Sequence, residues 1–430
     1  KMGDYTDFWI ADPSEIVATD PIDIQASSNK FTPIISMVPF SDFLFINTDS
    51  DTQYELLGSE NQITPFTAEL SPTAFYSTSS MVEPQLMGSQ IYFYASEKMY
   101  LYFSSRVNNI NKAVEVSSHC PNFLPKRFRS TAVAPARDSI FVVDDDNPNE
   151  IYGYTNRFSG DQVTQNAFFR FTLGESIEIF DLQEFDDELY ALVTIEGSTG
   201  EDRFCVLKMA LGPSELDEPR IDVKYKLTVD VESENPNTVY DSELNRTTFT
   251  LPVADHRLNE CILYSGWDPE DDTRFTPVLD TTSLNNETTS YYLNGNYAVQ
   301  GAQINFGRSF TMEVELSPQF MRDDKNNVID GVLNMRTIHL RHSDTGNYRV
   351  EATRRNRTPV ISTFSPVSVD EYGKLLPLRQ WENDGEFTAQ VFGFGSETVI
   401  KIISDYPTPV NITNMEIKGK FKSIHSTALS

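Results

Sequence analysis

Short apolar runs, each followed by a polar turn and a second apolar run, recur through the first half of this chain. The first run of each pair reads Phe43-Leu44-Phe45-Ile46, Ile91-Tyr92-Phe93-Tyr94, Ile140-Phe141-Val142-Val143 and Leu189-Tyr190-Ala191-Leu192-Val193. The starts fall at residues 43, 91, 140 and 189, in steps of 48, 49 and 49. The second runs occupy 53–57, 99–103, 150–154 and 203–209. A shorter apolar segment precedes each pair, at 34–40, 84–88, 131–136 and 177–185, and another follows, at 63–70, 113–120, 167–174 and 221–231. Four strands at such a period read as one blade of a β-propeller. A lone four-stranded meander exposes two faces and two edges, so it becomes stable only when others stack on it. The pattern predicts a partial propeller of about four blades. Since no tryptophan-aspartate or kelch signature marks the repeat, antiparallel meanders packed as a sandwich are the plainer alternative.

Past residue 210 the period is lost. Residues 211–220 are rich in Gly, Pro and acid and read as a linker. From 221 to 430 the apolar runs are longer and less regular. In 332–342, Val332, Asn334, Arg336, Ile338 and Leu340 share one side, a mixed face suited to an edge or an interface. No helical period of useful length occurs. The expected fold is all-β, with propeller blades over 1–210 that begin upstream of residue 1, and a β-sandwich-like distal region over 221–430.

Composition narrows this picture. A chain of 430 residues is long enough for two or three domains, and no apolar run near 18 residues suggests a membrane span. The start, Lys-Met-Gly-Asp-Tyr-Thr-Asp-Phe-Trp, has neither an initiator Met nor a secretory signal, and reads as an interior cut. Cys120, Cys205 and Cys261 sit in apolar or strand-like contexts and read as reduced residues, not a disulfide framework. Asn-x-Ser/Thr sequons begin at Asn245, Asn286, Asn356 and Asn411, and none is read as glycosylated without a signal. The net charge of −29 is dispersed among turns, which argues against an ordinary nucleic-acid-binding domain. An acidic wall along which DNA slides without sticking and a salt-adapted source both account for it.

Candidate chemistry is sparse. His339 and His342 are three apart, which in a strand sends them to opposite faces and argues against a metal pair. His119 beside Cys120 suggests a thiolate pair, but Pro121 follows at once, so a structural turn is the better reading. Acidic clusters at 144–146 and 186–188 offer paired carboxylates for glycoside hydrolysis or calcium ligands, yet both lie in turns, where Asp binds its own backbone. Ser343-Asp344-Thr345-Gly346 falls outside the repeat and has the wrong spacing for the Asp-box of sialidase propellers. No phosphate-binding Gly-rich loop, Gly-x-Ser-x-Gly elbow or Cys-x-x-Cys pair is present. No catalytic residue, cofactor site or metal site is assigned. Two basic groups stand out: Lys126, Arg127 and Arg129, and Arg349 with Arg354, Arg355 and Arg357. Arg suits planar contact with carboxylates, so these read first as contacts to a neighbouring subunit or partner, then as solvated loops, last as DNA contacts.

Three stretches stand out in order along the chain. Asp20-Pro21-Ile22-Asp23-Ile24, Asn29-Lys30 and Val38-Pro39-Phe40-Ser41 run into the strand at 43–46 and the Gln53-Tyr54-Glu55-Leu56 strand. Val116 to Pro125 contains Ser118-His119-Cys120-Pro121-Asn122-Phe123, and 404–412 is followed by Gly419-Lys420-Phe421. In that order these stretches resemble the tail tubular protein B, or nozzle, family of short-tailed podovirus-type phages, the second being similar to a segment between blades and the third to the family's C-terminal run. The resemblance spans the chain and corresponds to the C-terminal half of a member. It implies a structural virion protein at the distal end of the tail, hexameric, below a ring of tail tubular A adaptors. It further implies a channel for genome ejection that DNA passes without sequence-specific binding, tail fibres docked near the junction, and host lipopolysaccharide as a further contact. It carries no catalytic residues, which leaves His119 structural. The departures are the acidic balance and the 354–357 loop. The rival from another class is a carbohydrate-binding or polysaccharide-degrading propeller acting on host surface glycans.

Overall fold

Strands β2, β6 and β10 explain the architecture of the first half, because each is apolar on both faces and each is buried on both. The computed structural model describes isolated positions between 15 and 24 and most of 33–423, apart from short breaks and the stretches 212–221, 251–261 and 367–381, with 262–290 described in part. The described residues are strands and turns, with a single 3-10 turn at Pro135–Arg137. They divide into two compact units, Lys1–Pro213 and Ser214–Ser430.

In the first unit, β1 (Ile34–Phe40), β2 (Phe43–Thr48), β3 (Gln53–Leu57) and β4 (Glu69–Ala74) form one antiparallel meander. β5 (Gln85–Met87), β6 (Gln90–Ala95), β7 (Lys98–Ser105) and β8 (Ile110–Glu115) form the next. β9 (Phe128–Ala134), β10 (Ser139–Asp144), β11 (Glu150–Ser159) and β12 (Gln162–Thr172) form a third, and β13 (Ile177–Phe185), β14 (Glu188–Glu196) and β15 (Asp202–Ala210) a three-stranded fourth. The strand pairs of the sequence repeat are the β2-β3, β6-β7, β10-β11 and β14-β15 hairpins.

Alternation along β6 shows why consecutive meanders stack. Ile91, Phe93 and Ala95 join Phe40, Phe43 and Phe45 of the first sheet in one core. Tyr92 and Tyr94, pointing the other way, join Phe128, Ile140, Val142, Tyr152 and Tyr154 of the third sheet in another. A sheet covered on both sides has no solvated face to mark with polar residues, hence the uninterrupted apolar runs. Polar groups bridge the layers where they are satisfied: the amide of Asn156 donates to the Tyr92 hydroxyl at 3.0 Å, and Glu55 of β3 accepts from the Tyr102 hydroxyl of β7. Burial pushes the Tyr92 and Tyr94 phenols well above their ordinary range. Between the third and fourth sheets, β9 lies against β13, and the Ser130 hydroxyl donates to Asp181 at 2.5 Å. Closure of these four sheets into a propeller is not observed.

One expected strand goes elsewhere. The run at 221–231 was expected to close the fourth meander, but β16 (Asp222–Thr228) pairs with a strand in the second unit. There β17 (Thr238–Asp241), β18 (Arg246–Thr250), β19 (Ile262–Tyr264), β20 (Trp267–Asp268), β21 (Thr273–Arg274), β22 (Val278–Asp280), β23 (Ser290–Asn294) and β24 (Gln303–Arg308) follow. The orders are β16-β24-β19-β22 and β17-β18-β23, around a core of Leu227, Val229, Phe249, Tyr291 and Ile304. β25 (Met312–Leu316), β26 (Gly331–Thr345), β27 (Tyr348–Arg354), β28 (Val360–Phe364), β29 (Glu382–Phe394), β30 (Thr398–Ser404) and β31 (Ile412–Ser423) complete the chain. They form a β25-β30-β27-β28 sheet and a β29-β26-β31 sheet sharing one core, with Ile338, Leu340, Tyr348, Val350, Val391 and Ile402 among its members.

Candidate interaction surface

The two basic groups separate on inspection of their partners. Arg127 and Arg129 flank the start of β9 and face the β10–β11 turn. The Arg127 guanidinium donates to Asp146 at 3.1 Å through Nε, and Arg129 donates to Asp145 at 3.0 Å and to Glu178 at 2.7 Å. Arg129 also lies over the Phe180 ring, 5.7 Å from its centroid. These arginines are engaged within the chain, while Lys126 is exposed. Arg349, half-buried in β27, is engaged too. Its Nε donates to Glu351 at 2.7 Å, and a terminal nitrogen donates to Asp405, which also accepts from Thr311 at 2.8 Å. The Arg349 guanidinium beside Asp405 holds that carboxyl below the usual carboxylate range.

Arg354, Arg355 and Arg357 differ: no ion pair to a described residue is made by any of them. They lie on the turn between β27 and β28, closed by the Arg357 amide donating to the Arg354 carbonyl at 3.0 Å. Asn356 takes a φ of 58°, a left-handed conformation that Asn tolerates through its short polar side chain. Register places Arg354 opposite Thr398 and Thr353 opposite Val399, so this turn sits beside the β29–β30 turn. An open groove of about 750 Å³ is lined by Thr353, Arg354, Arg355, Arg357, Ser396 and Glu397, among others. Gly393 lets the neighbours pack under it: a Cβ there would meet the Thr398 hydroxyl at 2.1 Å and the Arg354 stem at 3.1 Å. Chemically, the tip presents three guanidiniums on a short turn, suited to carboxylates or other planar anions.

The acidic clusters are consumed locally. Asp144 is buried and accepts from the Asp146 amide at 2.8 Å and the Asn147 side chain at 2.9 Å. Asp186 and Asp187 carry φ of 55° and 63° in a two-residue hairpin, and Asp187 accepts from Arg137 at 2.8 Å. Arg137 holds the Asp187 carboxyl below its usual range. Neither cluster presents two free carboxylates to a substrate, which removes the motivation for a glycosidase. Sequence inspection missed the Arg137–Asp187 pair because its members lie 50 residues apart. His339 bonds Thr388 at 2.9 Å, whereas His342 is buried against the Tyr348 hydroxyl at 3.1 Å. His119 lies by the Phe168 ring, in a turn where the Cys120 amide donates to the Ser117 carbonyl at 3.0 Å. Burial pushes the Cys120 thiol up, away from reactivity. No cluster of three or more metal-ligating side chains occurs among the described residues.

The family model described as bacteriophage nozzle protein matches residues 1–427. The chain belongs to the bacteriophage nozzle protein family. As a nozzle protein it is a structural component of the virion tail. It is similar to the tail tubular protein gp12 of Escherichia phage T7, with 22% identity over 98% of this chain and 53% of that protein. The chain thus spans about half the length of this relative. Among solved structures it is similar to a putative 6-phosphogluconolactonase from Bacteroides uniformis, with 11% identity, a TM-score of 0.28, and coverage of 86% of this chain and 91% of that one. It is also similar to an exo-β-1,3-galactanase from Phanerochaete chrysosporium, with 8% identity, a TM-score of 0.19, and coverage of 87% and 78%. Likeness at that level carries no argument about this nozzle protein.

Proposed function

We propose that this nozzle protein is a subunit of a hexameric ring around the channel through which the phage genome leaves the tail. The observation that carries this reading is the family match over nearly the entire chain. In it, 1–210 supplies blades of a β-propeller, 211–220 a linker, and 221–430 the distal region. The ring abuts a tail adaptor ring and tail fibres on one side and the host surface, with its lipopolysaccharide, on the other. The net charge of −29 suits a wall that genomic DNA passes without adhering.

Within that ring the 354–357 turn contacts carboxylates of an adjoining subunit. Its support is clustering: Arg354, Arg355 and Arg357 share one turn and make no ion pair to a described residue, in a chain of 63 acidic and 34 basic residues, whereas Arg246 and Arg336, which likewise make none to a described residue, stand singly. Other described arginines, such as Arg129, Arg137 and Arg349, have found carboxylates within the chain. The test is charge reversal at Arg354→Glu and Arg355→Glu, exposed or half-exposed turn positions where folding should persist. Mass photometry of the protein mixed with its adaptor is expected to shift from rings toward single subunits, with the circular-dichroism spectrum unchanged. Rings of unaltered mass would reject the contact, and failure of the unmutated protein to form rings at all would reject the assembly reading itself.

A further inference from the structure

Among the described residues, three of the four meanders in the first unit have four strands, and the fourth has three. In the first three, the third strand is interior, with β4, β8 or β12 bonded along its far side, and it carries buried side chains. These include Tyr54 and Glu55 in β3, Met99 and Leu101 in β7, and Ile151 and Tyr154 in β11. β15 occupies the same place in the fourth meander but, among the described strands, pairs with β14 alone, and its described side chains, 204–210, include no buried one.

The strand is nonetheless apolar. Phe204 is 72% exposed and Val206 61%, and the Phe204 ring lies 5.9 Å from Phe180, beside exposed Leu192. On the opposite face Cys205, Leu207 and Met209 are half-covered. Exposed edges are normally blunted by proline, bulges or charge. β15 has no proline, and its register with β14 runs unbroken from Glu188↔Ala210 to Glu196↔Asp202. Its charged residues are Asp202 and Arg203 at the start of the strand and Lys208, which is paired with Glu188. The run that sequence assigned to this place, 221–231, is bonded to β24 instead.

We propose that β15 is an acceptor edge for a fourth antiparallel strand of alternating apolar residues, supplied by polypeptide of the same subunit that adjoins this 430-residue stretch. The T7 relative is matched over 53% of its length, so a nozzle polypeptide of that size holds ample chain to supply one. Backbone bonds to the incoming strand give affinity, and the Phe204 and Val206 side of the sheet selects an apolar partner side chain. This inference does not depend on the ring or on its arginine contact.

The test is amide hydrogen exchange across Asp202–Ala210 in the 430-residue chain and in the chain extended by its adjoining polypeptide. Alternate, outward-facing amides are expected to exchange quickly in the former and about 100-fold more slowly in the latter. Equal, fast exchange in both would overturn the proposal. Slow exchange already in the 430-residue chain would overturn it too, since the strand would then come from within the chain or from a second copy.

Discussion

Asp405 illustrates how one carboxylate, placed just past β30, ties three strands together. It accepts from Arg349 of β27 and from Thr311 at the mouth of β25, so its negative charge is worth more in the folded than in the unfolded chain. The direction of its shift fixes the sign of its pH dependence. A carboxyl whose folded pKa is lowered contributes stability above the unfolded value of about 3.9, and that contribution is lost as pH falls through the folded value. With the carboxylate side chain 45% exposed, solvent screening limits the contribution to about 1 kcal/mol or less. Asp405→Asn is expected to be less stable than the unmutated protein at neutral pH and indistinguishable from it near pH 2. Urea unfolding at a series of pH values measures this, and a gap that persists in strong acid would mean that the side chain acts through packing. Arg349 was legible in the sequence as one of a basic group. Its engagement was not, because Asp405 is 56 residues away and adjacency across a sheet leaves no local trace.

Strands β6 and β14 hold equivalent places in their meanders and differ in what covers them. Ile91 through Ala95 are all buried, whereas along β14 Leu189, Ala191 and Val193 are buried and Leu192 is 43% exposed. Replacing a core aromatic removes both its transfer free energy and the contacts around the cavity it leaves, at a cost of about 3–5 kcal/mol. Phe93→Ala and Tyr92→Ala, which face opposite neighbours, are therefore both expected to lower the urea midpoint of the first unit markedly. Leu192→Ala in the 430-residue chain is expected to change stability by about 0.5 kcal/mol or less, as a surface substitution does. A large loss at Leu192, or a small one at either aromatic, would contradict the layering. The same contrast explains how much of the fold could be read in advance. The hairpins of the repeat join neighbours in sequence, so their period, their turns and their two-faced apolar runs are visible in the chain. The partner of β16 is not visible: Leu227 opposes Ile304, a pairing decided by the core that the two share with Phe249 and Tyr291. The apolar pattern of 221–231 was equally suited to the β15 edge, and only long-range packing chose between them.

Charge acts on the molecule as a whole in two opposed ways, and their ranges differ. Chains of −29 repel one another over distances set by the Debye length, about 30 Å in 0.01 M salt and about 10 Å in 0.1 M. Guanidinium contacts from the 354–357 turn act over a few ångströms, through hydrogen bonds that screening weakens only when the Debye length shrinks to about 3 Å, near 1 M. Raising salt from a very low level should thus first relieve repulsion and favour assembly, then erode the arginine contact and oppose it. Ring formation by this nozzle protein, followed by sedimentation velocity across that range, is expected to pass through a maximum at intermediate salt. Arg354→Glu with Arg355→Glu removes the short-range attraction and adds repulsion, so the variant should gain from salt throughout and show no decline at the high end. A monotonic rise in the unmutated protein would assign assembly to apolar contacts alone, and a monotonic fall would mean that attraction between subunits already outweighs the net charge at long range.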